Sequence, residues 1–174
     1  MKTSLCNFCL KSGILCPQCQ EKVRTGEITD LDIKIAKVLL KLEGKYPTLQ
    51  KVYFYNAYEI DDVLAIAVGS GDLHRLLSGG GGMVREVSDN IGKKVRILEK
   101  KGDTRKFLED LFAPAPITSI NKIWLPDGST ETRVILSGHS RRLPLKNNVL
   151  KELAKKIRGI TLRIAFETQP GTDF

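Results

Sequence analysis

Four consecutive glycines, Gly79 to Gly82, interrupt a stretch that is otherwise built of regular elements. Glycine costs conformational entropy inside a helix or strand, so such a run is a loop, and its flanks set what it connects. Before it stands Val63-Leu-Ala-Ile-Ala-Val68, a continuous apolar run of strand length, followed by a short helical pattern over 71–77. After it come a second helical pattern over 83–91, ended by Gly92, and Lys94-Val-Arg-Ile-Leu98, which alternates polar and apolar as a half-buried strand does. A glycine loop entering a helix N-terminus leaves the main chain open to a phosphate, with no Cβ in the way.

The same order of elements occurs twice. In the first half, Thr29 or Asp30 caps a helix whose Leu31, Ile35, Val38, Leu39 and Leu42 share one face. Gly44 and Pro47 stop it, and strands over 52–58 and 63–68 flank the acidic turn 59–62. In the second half, Thr104 to Phe112 reads as a helix and Ala113-Pro-Ala-Pro116 breaks it. Strands over 120–125 and 132–136 are joined by the Pro126-Asp-Gly128 turn; a helix over 148–157 and a strand over 160–166 follow. The short helix is the least evident element of this half. Each half covers about 70 residues, which is a duplication at the level of organisation.

All four cysteines fall in the first 19 residues, as Cys6-x-x-Cys9 and Cys16-x-x-Cys19. Two such pairs with six residues between them satisfy one tetrahedral, structural zinc ion with no open position for water. Paired disulfides are the other reading, but a CxxC disulfide would not link the two pairs. Lys11, Lys22 and Arg24 nearby are expected to lower the thiol pKa values. Residues 1–27 are too short for a core of their own, so metal binding is expected to supply their folding free energy, with Ser12-Gly13 turning a small zinc hairpin.

The net charge of +8 favours polyanionic partners. From Arg141 to Arg163 there are eight basic residues against one acid, Glu152, whereas residues 30–62 carry six acids and five bases. No apolar run is long enough to span a bilayer, and the start lacks a signal-peptide core, so a cytoplasmic protein without membrane partners is expected. Neither a nucleophile–base pattern nor a carboxylate pair is evident, which argues against an enzyme and against a small-molecule substrate. Gly69-x-Gly71 does not make a dinucleotide fingerprint, since its third glycine would fall on His74. His74 and His139 read as surface residues. Tyr53, Phe54, Tyr55 and Tyr58 can stack on bases, but alternation along a strand puts about half of them in the core. Trp124, close to Pro126, reads as a packing residue.

The repeated order, helix-strand-strand-helix-helix-strand, resembles the type II KH RNA-binding domain. Gly71-Asp72-Leu73, Ile91-Gly-Lys-Lys-Val95, Leu111-Phe-Ala-Pro-Ala115, Ile123-Trp-Leu-Pro-Asp-Gly128 and Leu150-Lys-Glu-Leu-Ala-Lys-Lys156 resemble the archaeal NusA-like transcription factors over roughly residues 30–168. The resemblance implies an α+β fold with two tandem type II KH domains, here behind a zinc knuckle. The expected division is 1–27 zinc segment, 28–100 first KH domain, 101–168 a second, degenerate KH domain, and 169–174 a tail. KH domains clamp about four nucleotides at a Gly-x-x-Gly loop. Aligned on Asp72, that loop falls on Ser78-Gly79-Gly80-Gly81; one residue later it is Gly79 to Gly82. The first register replaces a glycine by serine, and neither contains a cation. Phosphate contact is therefore expected from main-chain N–H groups, helped by Arg75, Arg85, Lys93, Lys94 and Arg96. The second half has no such loop and offers Arg141, Arg142, Lys155 and Lys156 as basic surface. The implied partners are single-stranded RNA or rRNA, with RNA polymerase or, alternatively, a ribosomal subunit as host. An RNA-processing accessory role is a third possibility.

Overall fold

The structure, a computed structural model, describes residues 1–138 and 143–167. Met1–Gly102 form one unit and Asp103–Phe174 another. The first begins with β1 (Lys2–Thr3), α1 (Asn7–Ser12) and α2 (Pro17–Arg24). Then come α3 (Asp30–Leu42), a single 3-10 turn at Pro47–Lys51, β2 (Tyr53–Ile60), β3 (Val63–Val68), α4 (Asp72–Leu77), α5 (Gly82–Ile91) and β4 (Lys94–Glu99).

Sequence chemistry explains where these elements start. Thr29 caps α3 by accepting the Asp32 N–H at 3.2 Å, while the Asp32 carboxylate takes the Thr29 N–H at 2.8 Å. The same buried carboxylate also accepts the main-chain N–H of Ala57 and the Asn56 amide, so one residue joins the start of α3 to β2. The sheet runs β1-β2-β3-β4. β2 and β3 are antiparallel, with Asp61 at φ 53 in their tight turn, a conformation that Asp tolerates. β3 and β4 are parallel, from Val63↔Lys94 to Val68↔Glu99. Every residue of β3 is buried, which is why the sequence shows a continuous apolar run there instead of alternation. A bulge between Phe54 and Asn56 shifts the phase of β2, so Phe54 and Ala57, three apart, both face the core.

The second unit contains α6 (Thr104–Phe112), β5 (Ile117–Trp124), β6 (Thr130–Leu136), α7 (Asn147–Arg158) and β7 (Leu162–Phe166). Its sheet, β5-β6-β7, repeats the pattern of β2-β3-β4: an antiparallel hairpin, then a parallel third strand. Even the bulge recurs, between Ile117 and Ser119. Phe107, Leu108, Leu111 and Phe112 of α6 and Val149, Leu150, Leu153 and Ala154 of α7 are buried, each worth up to about 3 kcal/mol for a large side chain.

Three expectations change. The cysteine segment is no separate hairpin: its residues lie on two short helices, and Leu5, Cys9, Leu10 and Cys19 share one apolar core with Ile35 and Leu39. β5 starts three residues before the sequence pattern suggests, because Ile117 still pairs with Leu136 across the bulge. Trp124 does not pack; it is 72% exposed, with the Lys122 ammonium 5.3 Å from its ring centre. The expected short helix of the second half lies partly outside the described residues, as do His139 and tail residues 169–174. Among the described residues no helix is long and apolar enough to cross a membrane.

Candidate functional site

Two features stand out in the first unit: the cysteine cluster and the glycine loop.

Each cysteine pair opens a helix. Cys6 is the N-cap of α1 and Cys16 the N-cap of α2, where Pro17 occupies the first turn without leaving an N–H unsatisfied. The second cysteine of each pair then lies one turn along, and Gly13 at φ 78 reverses the chain between the helices. The four sulfurs lie within 4.8 Å of one another. A tetrahedron with metal–sulfur bonds of about 2.3 Å has sulfur–sulfur edges of about 3.8 Å, so the cluster is close to the size that one metal ion requires. Main-chain N–H groups already point at sulfur: Cys16 N to Cys9 Sγ at 3.1 Å and Cys9 N to Cys6 Sγ at 3.5 Å. Such donors favour the thiolate, the form that binds metal. The Cys16 thiol is lowered to about 7, first by the Cys19 main chain and then by its thiol. Cys6 is lowered by the Cys9 thiol and main chain, while Cys9, holding the shared proton against Cys6, is pushed up to about 12. The expected help from basic side chains is replaced by these contacts. Lys22 instead donates to the Ser4 carbonyl at 2.8 Å, and Arg24 pairs with Glu21.

The glycine loop joins α4 to α5. Ser78, the last cap residue of α4, has φ −59 and ψ −23, so the backbone asks for no glycine there. Gly80 and Gly81 have φ 73 and 74, the left-handed region that favours glycine. Gly79 and Gly82 are not in that region, and a Cβ on Gly79 would meet nothing within 4 Å. On Gly82 it would meet the Tyr46 side chain, the hydroxyl at 3.5 Å and Cε1 at 3.9 Å. Gly81 caps α5 without a side-chain hydrogen bond, leaving the first turn of that helix open.

The basic residues named from sequence divide. Arg75 lies in α4 and Arg85 in the first turn of α5, the two elements that the loop connects. Arg75 is tethered to Asp72 at 2.8 Å but remains half exposed. Arg85 is exposed and has no ion pair among the described residues. Lys93 and Lys94 do not join them. They follow the other end of α5, ten residues or about 15 Å from the loop, and they pair with Glu59 and Asp62 at 2.5 and 3.2 Å. Arg96 lies two residues beyond Lys94 in β4, in register with Ala65, and is half-buried. Lys155 and Lys156 are exposed near the end of α7 in the second unit, where Lys156 faces Glu152 at 3.9 Å. Arg141 and Arg142 lie outside the described residues. Sequence reasoning missed that Leu77, beside the loop, is 47% exposed; its helical spacing gave no sign of it.

No protein-family model matches the sequence. Over 97 residues the chain is 25% identical to a protein of Methanococcus vannielii named probable transcription termination protein NusA, a stretch covering 56% of this chain and 53% of that protein. A protein of the same name from Methanocaldococcus jannaschii is 31% identical over 91 residues, 49% of this chain and 50% of its own length. The chain spans about half the length of the curated relatives it matches. Among solved structures, the crystal structure of APE1850 is similar with a TM-score of 0.54, covering 80% of this chain and 100% of that one at 18% identity, a likeness of fold alone. The chain is thus a mixed α+β protein with partial similarity to archaeal NusA proteins and a four-cysteine cluster that can hold a metal ion.

Proposed function

We propose that this chain is a non-enzymatic RNA-binding factor that works with RNA polymerase in elongation or termination. In this reading residues 28–100 and 101–168 are tandem type II KH domains, and the cysteines of residues 1–27 hold one structural zinc ion. Single-stranded RNA lies at the loop Ser78 to Gly82. Its phosphates meet the open N-terminus of α5 and the side chains of Arg75 and Arg85.

One observation carries this reading. Glycine stands at positions 79 and 82 although neither has a left-handed backbone and a Cβ would fit at both. Among the described residues no contact requires glycine at either position, and a main chain laid against the loop would. The partial similarity to proteins named for transcription termination supports RNA polymerase as the host complex. Zinc suits four soft thiolates in a tetrahedron, and such a closed site is structural because it leaves the metal no catalytic position.

The test is salt-dependent binding of single-stranded oligoribonucleotides by the whole chain, with Gly80→Asp/Gly81→Asp as the loop variant. Loss of binding in the variant is expected, and binding equal to the parent would remove the clamp. Sedimentation of a native lysate at low and high salt tests the host: co-migration with a ribosomal subunit that survives high salt would replace RNA polymerase by the ribosome.

A further inference from the structure

A second feature of the first unit lies on β2 and involves no residue of the glycine loop. The bulge that turns Phe54 and Ala57 inward leaves Tyr53, Tyr55, Asn56 and Tyr58 half-exposed. Tyr53 and Tyr55 have ring centres 4.5 Å apart at 43°. The ammonium groups of Lys100 and Lys101, just beyond β4, each lie 5.4 Å from the Tyr55 ring centre. Lys100 also donates to Asn56 Oδ1 at 2.6 Å, which holds it over the aromatic pair. Tyr53, Tyr55, Asn56, Tyr58 and Lys100 border an open cavity of about 530 Å³ that Glu27 and Asp32 also line, with Lys101 just outside that wall.

The chemistry of the wall narrows the ligand. Three phenol rings offer flat π-faces, the Lys100 ammonium in the wall offers positive charge, and the Lys101 ammonium adds a second beside the Tyr55 ring. Asp32 adds no demand for a cation, because its carboxylate already accepts N–H groups from Thr29, Asn56 and Ala57. The cavity falls within the range of small-ligand sites, about 300–1,000 Å³. A flat aromatic group joined to an anion fits this wall, and a nucleotide is that combination. We propose that the Tyr53–Tyr55–Tyr58 groove is a second RNA subsite, in which one base of a single strand stacks on tyrosine and its phosphate lies toward Lys100 and Lys101. The inference rests on the reading of the chain as an RNA-binding factor and extends it to a longer footprint than the four nucleotides of one KH loop.

The test uses the whole chain, labelled tetra- and dodecauridylate, and a dodecamer carrying 4-thiouridine for photo-crosslinking. Tyr55→Ala is expected to weaken dodecamer binding about tenfold, within the effect of one stacked base, while tetramer binding at the loop is unchanged. Tyr55→Phe, which keeps the ring, restores dodecamer binding, and Lys101→Glu weakens it. Crosslinks to the peptide carrying Tyr53, Tyr55 and Tyr58 persist in Gly80→Asp/Gly81→Asp. The proposal is overturned if Tyr55→Ala binds the dodecamer within twofold of the parent and crosslinks are confined to the loop. It is also overturned if Tyr55→Ala loses only binding to a proline-rich peptide, which makes the groove a protein site. If the parent binds neither oligonucleotide, the RNA reading itself fails.

Discussion

The Asp72 carboxylate accepts the main-chain N–H of Tyr53 at 2.9 Å, joining the first residue of α4 to the first residue of β2. The approach is close enough that a Cβ on Gly69 would lie 2.5 Å from the same oxygen. Asp72 is buried, and its other oxygen receives Arg75, so the carboxylate has little freedom to move aside. Asp72→Ala leaves the Tyr53 N–H without its partner and should lower unfolding free energy by about 1–3 kcal/mol in urea titrations. Gly69→Ala should cost a similar amount by displacing the carboxylate. Because both act on one contact, the double variant should lose less than the sum of the two; additive losses would show that the contact is not shared.

The cysteine cluster makes a separate prediction. Cys9 and Cys19 are buried in the same core as Leu5 and Leu10, so losing the metal disturbs packing as well as the thiols. A metal held at 100 to 1,000 times its dissociation constant adds about 3–4 kcal/mol. At about 2–4 °C per kcal/mol, chelation should lower the Tm by roughly 6–16 °C. Cys9→Ser should abolish the metal, expected near one ion per chain by elemental analysis. Metal binding must displace the thiol protons, of which that of Cys9 is the most tightly held, at about 12. Affinity should therefore fall as the pH falls, read by titration with a chromogenic chelator.

Much of the fold was legible because its signals are local. The cap at Thr29 or Asp30, the apolar face of α3, the unbroken apolar β3 and the glycine breaks all act within a few residues, and the structure settles the cap on Thr29, with Asp32 closing it. What escaped depends on partners distant in sequence. β1 is two residues with no pattern of their own, made a strand by Lys2 N bonding Val52 O. The merging of the cysteine helices into the main core depends on Leu5 and Leu10 meeting Ile35 and Leu39. Lys93 and Lys94 follow closely on the helix that the loop begins, yet ten helical residues carry them away from it. The four cysteines were the easiest site residues to read, because their spacing is itself the chemistry.

That separation predicts a graded response to charge reversal. Arg85→Glu places an anion in the open first turn of α5 and should weaken RNA binding at least tenfold, with a shallower salt dependence. Lys93→Glu and Lys94→Glu break surface ion pairs worth about 1 kcal/mol or less in stability and should change RNA affinity no more than about threefold. Fluorescence anisotropy across a salt series measures both. Equal losses from the two ends of α5 would mean that RNA follows the whole helix instead of gathering at its N-terminus.

The glycines of the loop allow stability and binding to be separated by single methyl groups. Gly80 and Gly81 have left-handed backbones, so Gly80→Ala or Gly81→Ala should destabilise the first unit by about 1–2 kcal/mol, with or without RNA. Gly79 has no such constraint and open space around its Cα, so Gly79→Ala should be neutral or stabilise by up to about 1 kcal/mol through the unfolded chain. The same methyl nonetheless stands where a sugar-phosphate backbone must approach, so Gly79→Ala should weaken RNA binding several-fold while raising or preserving the Tm. Gly82→Ala should behave alike, its methyl in ordinary contact with the Tyr46 side chain. Paired thermal melts and anisotropy titrations of the four variants decide the matter. If Gly79→Ala and Gly82→Ala bind as the parent does, the loop glycines serve the fold alone, and the phosphate site must lie elsewhere.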